Sequence, residues 1–174
     1  MKIVFLDHDG VMCLSTEWGG RMKKIKKWKL DNPGCNGYVN DPLIPAHVKM
    51  DNFNTKAVKI LNEILELTDA EIVVSSDWKL HNTLEQLQDM FKEYGVIKSP
   101  IDVTPDKILK KMSDLESNRV SEINEWLINH PEVTHWVAID DLDLSELPNF
   151  VHTKKMKEGI KQSGIKEQIL KFLL

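Results

Sequence analysis

Three short apolar runs in this chain of 174 residues each end in side chains that can do chemistry. Ile3-Val4-Phe5-Leu6 runs into Asp7-His8-Asp9-Gly10-Val11, Ile72-Val73-Val74 into Ser75-Ser76-Asp77, and Trp136-Val137-Ala138-Ile139 into Asp140-Asp141. Two acids spaced two apart at a strand end point roughly the same way. Four carboxylates brought close together repel one another unless a cation sits among them, and hard oxygen donors suit Mg²⁺. Mg²⁺ takes one or two carboxylates, waters and a phosphate oxygen, which leaves a carboxylate oxygen free to act as a nucleophile. Acids also start polar loops and cap helices. Both acidic pairs together with a hydroxyl-bearing strand end argue for a site rather than for loop chemistry.

The ends of these runs meet only if the runs are parallel strands. Between them the pattern is helical: Ala57, Val58, Leu61, Ile64 and Leu65 recur at three- and four-residue spacing, and Leu80, Leu84, Leu87 and Phe91 share a face that stops near Gly95. Val120, Ile123, Trp126 and Leu127 mark a third helix ending before Pro131, and Ile165, Ile169, Leu170 and Phe172 a last one. Phe150-Val151 reads as a short fourth strand, and residues 96–118 as turn-rich. Alternating strands and helices imply a parallel sheet with helices on both faces, an α/β/α arrangement that binds ligands at the carboxyl edge of its strands. One domain over 1–174 is expected. A turn-rich insertion spans about 12–52, with helix near 21–30.

Apolar and charged fractions are ordinary for a globular protein, and the net charge of −4 argues neither for nor against a nucleic-acid partner. Cys13 and Cys35 are too few for a disulfide framework and lack zinc-ligand spacing, so both are expected reduced. The first apolar run is only four residues before an acid, too short for a signal peptide or a membrane span. A cytoplasmic location is the expectation.

Phe5-Leu6-Asp7-His8-Asp9-Gly10-Val11 resembles the first motif of the haloacid dehalogenase (HAD) superfamily, DxDGT or DxDGV. Ser75 resembles the second motif and Asp140-Asp141 the fourth. Arg119, about twenty residues before Asp140, stands where the third, basic motif belongs, with Lys98 and Lys107 as rivals in a different context. Ser75-Ser76-Asp77-Trp78-Lys79, Thr104-Pro105, Arg119…Glu122-Ile123…Trp126-Leu127 and Gly164-Ile165…Ile169-Leu170 resemble one branch, the HAD domain related to Swiss-army-knife RNA repair proteins. The resemblance implies a Rossmann-like HAD fold and a Mg²⁺-dependent phosphatase, with a nucleic-acid terminal phosphate or a nucleotide as the candidate substrates. Asp7 would attack phosphorus to form an aspartyl-phosphate, and Asp9 would protonate the leaving oxygen and then activate water. Asp7, the backbone carbonyl of Asp9, Asp140 and Asp141 would hold the metal. Ser75, Ser76, Gly10, Trp78 and Lys79 would lie around the substrate, and Arg119 would offset the charge on Asp7 and phosphate. Arginine there departs from the commoner lysine, and Lys79 from a frequent arginine.

Strand alternation aims His8 away from the two acids, as a packing or lid residue. Trp78 either borders the substrate or caps the core. Asp143 reads as a solvated loop acid; His130, His135 and His152 show no ligand spacing. Within Arg21–Lys29, six of nine residues are basic and none is acidic. This is either a solvated helix face or, with Trp28, a contact for a polyanion such as an RNA or DNA end. Two other readings compete with a phosphatase. A phospho-acceptor signalling domain also uses acids, a hydroxyl and a base on a parallel sheet, but in the reverse order along the chain. A catalytically silent HAD-like module binding RNA through the insertion fits poorly with an intact Asp7 and Asp9.

Overall fold

The structure, a computed structural model, describes residues 1–107 and 114–174. Five strands, β1 (Lys2–Leu6), β2 (Glu71–Val74), β3 (Asp102–Val103), β4 (His135–Asp140) and β5 (Phe150–His152), form one parallel sheet in the order β3-β2-β1-β4-β5. The expected Rossmann-like architecture is therefore present, with β1 at its centre. Alternation along β1 divides the core. Val4 and Leu6 face one layer with α3 (Thr55–Thr68), α4 (Leu84–Glu93) and α6 (Ile165–Leu173). Ile3 and Phe5 face the other, covered by α5 (Leu115–Ile128), where Trp126 meets Phe5 edge-on at 5.3 Å. The chain lays β2 and β3 to one side of β1 and then crosses to β4 on the other. That reversal makes the carboxyl end of β1 the crevice of the sheet.

Two details differ from the periodicity. Leu80 is about half exposed in a 3₁₀ turn over Asp77–Leu80, and α4 starts only at Leu84. Thr83 and Gln86 form a reciprocal capping box there, a local signal that outweighs apolar spacing. The turn-rich stretch 96–118 contains β3, whose two residues are too few for a period to show; residues 108–113 of that stretch lie outside the described ones.

After β1 the chain turns on His8, whose carbonyl accepts the N–H groups of Val11, Met12 and Cys13. Val11 to Leu14 are fully buried, so the excursion leaves the core after Leu14 rather than at residue 12. It carries α1 (Arg21–Asp31) and α2 (Ala46–Lys49), which share a small apolar cluster of Ile25, Cys35, Ile44 and Val48. Asn54 N–H closes it by donating to the Met12 carbonyl at 2.8 Å. No helix among the described residues is long and apolar enough to cross a membrane.

Candidate active site

Register alone brings the three strand ends together. Leu6 pairs with Val74 and with Ile139, so Asp7, Ser75 and Asp140 fall next to one another. Asp7 N–H donates to the Ile139 carbonyl at 3.1 Å, and Ser75 N–H to the Leu6 carbonyl at 3.0 Å. All three residues are buried. The hydroxyl of Ser75 has no hydrogen-bond partner among the described residues. Leaving a buried hydroxyl unpaired is costly.

Arg119 reaches this cluster from α5. Its Nη1 donates to Asp140 Oδ2 at 2.8 Å, to Asp7 Oδ1 at 3.3 Å and to the Ser75 carbonyl, and its Nη2 to Asp77 Oδ1 at 2.9 Å. The rivals sit elsewhere: Lys98 pairs with Asp69 and Glu71 at the far end of β2, and Lys107 with Glu125. Burial opposes the charge on Arg119, but Asp7 and Asp140 outweigh it and the guanidinium stays protonated.

One guanidinium touching three carboxylates does not balance the charge. Asp7, Asp140 and Asp141 bring carboxylate oxygens within 4.8 Å of one another. Burial first, and then the charge of Asp140, raises Asp7 well above the usual carboxylate range. Burial pushes Asp140 up to about 6 despite its bond to Arg119, and burial likewise raises Asp141. Three crowded hard-oxygen donors that resist ionising together fit a divalent cation such as Mg²⁺.

Asp9 is half-buried and lines a pocket. Trp78 Nε1 donates to its Oδ2 at 2.8 Å. Burial nevertheless raises its pKa, the direction a general acid needs. Gly10 has φ +71°, and a Cβ there would lie 2.6 Å from Asp141 Oδ2. Glycine therefore lets Asp141 lie over the loop. Its N–H is spent on the Cys13 carbonyl, and its own carbonyl accepts from buried Thr153.

Gly10 thus offers a substrate no backbone N–H, and two other residues expected there also have internal partners. The Lys79 ammonium is buried against Glu122 at 2.6 Å, Thr104 Oγ1 at 2.9 Å and the Pro105 carbonyl at 2.9 Å, which uses its three donors. Ser76 is buried and caps the turn by accepting from Trp78 N–H. The Trp78 ring is buried against His8 and Phe53, and its N–H donates to Asp9. His8 is fully buried among Trp78, Phe53 and Phe91, and its pKa falls to about 3 through burial and the Arg119 charge, so it is a neutral packing group. Its two ring nitrogens have no partner among the described residues. His130 stacks on Trp126, His135 is exposed and Asp143 is an exposed loop acid.

The sequence assigned no role at the site to Asp77, Cys13, Asp51 or Trp18. Asp77 is adjacent to the Ser75-Ser76 end and was readable as a partner for a cation. Asp51 had no such signal, because its partners lie thirty residues away. It accepts Gly19 N–H at 3.1 Å and Arg21 N–H at 2.7 Å, capping α1 where Gly20 has no side chain to do so. With Asp9, Trp18, Gly19, Arg21 and Met22 it lines a pocket of about 450 Å³. A cavity of about 520 Å³ at the β3 edge, between Thr104 and His130, touches none of Asp7, Asp9, Asp140 and Asp141.

A family model described as the HAD domain in Swiss Army Knife RNA repair proteins matches residues 3–163, a span holding every acid, hydroxyl and cation of this site. No curated protein and no solved structure matches the chain.

Proposed function

The chain belongs to the family of HAD domains in Swiss Army Knife RNA repair proteins, and from that membership and the site's geometry we propose that it is a Mg²⁺-dependent phosphomonoesterase working through an aspartyl-phosphate. The observation that carries this reading is the Ser75 hydroxyl, unpartnered among the described residues and buried beside an aspartate that Arg119 also touches. A phosphate held by Ser75 would present its phosphorus to Asp7. Mg²⁺ bound by Asp7, Asp140 and Asp141 would supply the positive charge that lets carboxylate and phosphate approach. Asp7 attacks phosphorus, and the ester oxygen leaves with a proton from Asp9. Asp9 then takes a proton from the water that hydrolyses the aspartyl-phosphate, and Asp7 is regenerated. Trp78 holds the Asp9 carboxylate in place for both proton transfers. Arg119, paired with Asp7 and Asp140, opposes the rise that burial and Asp140 impose on Asp7.

Phosphate release from p-nitrophenyl phosphate and from 3′- and 5′-phosphorylated oligonucleotides tests the proposal. Turnover is expected with Mg²⁺ and is lost on adding EDTA. A protein that turns over none of these esters, or does so equally well in EDTA, is not this enzyme.

The substrate class we propose is a nucleic-acid end. Arg21, Lys23, Lys26, Lys27 and Lys29 are exposed on α1, which begins at the pocket beside Asp9. Lys24 is different: its ammonium is tied to the His47 and Met50 carbonyls and to Asn52, so it anchors the insertion. Changing Lys23, Lys26 and Lys27 together to glutamine is expected to raise KM for the oligonucleotide. The log–log salt dependence should flatten by about 2, from about 0.7 per single-strand phosphate contact. An unchanged salt slope would return α1 to the role of a solvated face.

A further inference from the structure

We propose that the pocket between Asp9 and the first turn of α1 receives a planar heteroaromatic ring on the substrate's leaving group, a nucleobase in chemical class, with Trp18 as its stacking platform. The proposal rests on the phosphatase reading in one respect: Asp9 gives its proton to the leaving oxygen. The group carrying that oxygen must then extend from Asp9, and the pocket that Asp9 lines is the space it meets.

The walls suit a ring. Trp18 and Met22 are 46% and 66% exposed, so two large apolar side chains stand in water beside the acid. Each base has a π-face, and stacking on an aromatic side chain is indifferent to which base it is. The Arg21 guanidinium forms no ion pair among the described residues, yet its charge is felt at Asp9. A guanidinium plane free of carboxylates can lie on a ring as a second, cationic face.

The floor argues against other occupants. Asp51 and Asp9 put two carboxylates at the pocket, which repel a second phosphate. They tolerate an uncharged ring carrying N–H groups. A bare sugar would leave Trp18 and Met22 in water. The volume of about 450 Å³ lies within the range of small-molecule sites, roughly 300–1,000 Å³.

The walls are also fixed in advance. Buried Asp51 accepts the N–H groups of Gly19 and Arg21, so the backbone that carries Trp18 and Arg21 is held before any substrate arrives. Preorganisation of this kind lowers the cost of ordering a binding loop.

The test compares kcat/KM for guanosine 5′-monophosphate with that for ribose 5-phosphate, in Mg²⁺, for the wild type, Trp18→Ala, Trp18→Leu and Trp18→Phe. The wild type is expected to prefer the nucleotide by about tenfold or more, mostly through KM. Trp18→Ala and Trp18→Leu should bring the preference to within about twofold of unity, and Trp18→Phe should keep most of it. Because Trp18→Leu retains apolar bulk, a folding defect in Trp18→Ala does not decide the matter. Calorimetric titration of guanosine 5′-monophosphate into the same four proteins, without turnover, should rank them in the same order. If no ester is turned over but Trp18→Leu still weakens nucleotide binding about tenfold, the phosphatase reading falls and the ring site stands. If phosphate is released but neither preference nor binding responds to Trp18, the ring site falls and the phosphatase reading stands.

Discussion

Asp7→Asn is expected to lower phosphate release by on the order of 10⁴-fold or more, the scale of losing a covalent nucleophile, while raising the melting temperature of the metal-free protein at neutral pH. Both effects come from the same carboxylate. Burial, and then the neighbouring Asp140 charge, raises its pKa in the folded chain. The folded state therefore holds a proton that an unfolded chain has already released. Stability from that proton is complete at pH values below the ordinary carboxylate range and is lost as pH rises through the raised values, near 6 for Asp140. Asparagine keeps the shape of Asp7 and removes its charge, so the variant should lose less stability between pH 5 and pH 8. Arg119 does not become unpaired, because Asp140 and Asp77 still accept from it. Mg²⁺ should raise the wild-type Tm, and more at pH 8 than at pH 5, because binding to the folded state alone adds stability and needs deprotonated ligands. Calorimetric melts in EDTA and in Mg²⁺ at the two pH values, alongside phosphate-release rates, check the set. An Asp7→Asn protein that melts below the wild type in EDTA at pH 8, or that keeps its activity, contradicts the assignment.

The carboxyl edge of the sheet was legible in the sequence because each strand ends abruptly. Continuous apolar runs mark buried parallel strands, and the residue after each run falls at one edge whatever the loops do. Asp7, Ser75 and Asp140 each follow such a run, and the strand register sets them side by side. Alternation likewise sent His8 into the core. The sequence was less informative wherever a side chain's partner is chosen by tertiary contact. Lys79 reads as a cation beside a phosphate site until Glu122, forty-three residues away, takes it. Gly10 reads as an opening for substrate, whereas its real neighbour is the Asp141 carboxylate. Asp51 carried no signal, since a cap supplied from thirty residues away leaves no local pattern. Trp18 was missed for the opposite reason. A single exposed tryptophan in a turn-rich segment has no periodicity to break, and only its place beside Asp9 gives it a meaning.

Arg119→Met is expected to be the most destabilising single change in the site. The arginine is the buried counter-charge for Asp7 and Asp140 and also reaches the half-exposed end of Asp77. Removing one partner of a buried ion pair typically costs about 3–5 kcal/mol, because the acids left behind stay desolvated. Here the cost is relieved as the acids take up protons, so the melting deficit against wild type should shrink from pH 8 to pH 5. Mg²⁺ should relieve part of it too, since a cation among Asp7, Asp140 and Asp141 replaces some of the lost charge. Surviving turnover in Mg²⁺ should fall by roughly 10²–10³-fold, the scale of losing one preorganised charge-stabilising donor. Arg119→Lys separates charge from shape. An ammonium restores the charge but not the planar fork that spans Asp140, the Ser75 carbonyl and Asp77. It should recover more of the pH 8 stability than of the rate. If instead Arg119→Met melts like the wild type at pH 8, the guanidinium is not what holds these acids together. If Arg119→Lys is fully active but no more stable than Arg119→Met, its role is to place charge on the reacting phosphate rather than to order the cluster beneath it.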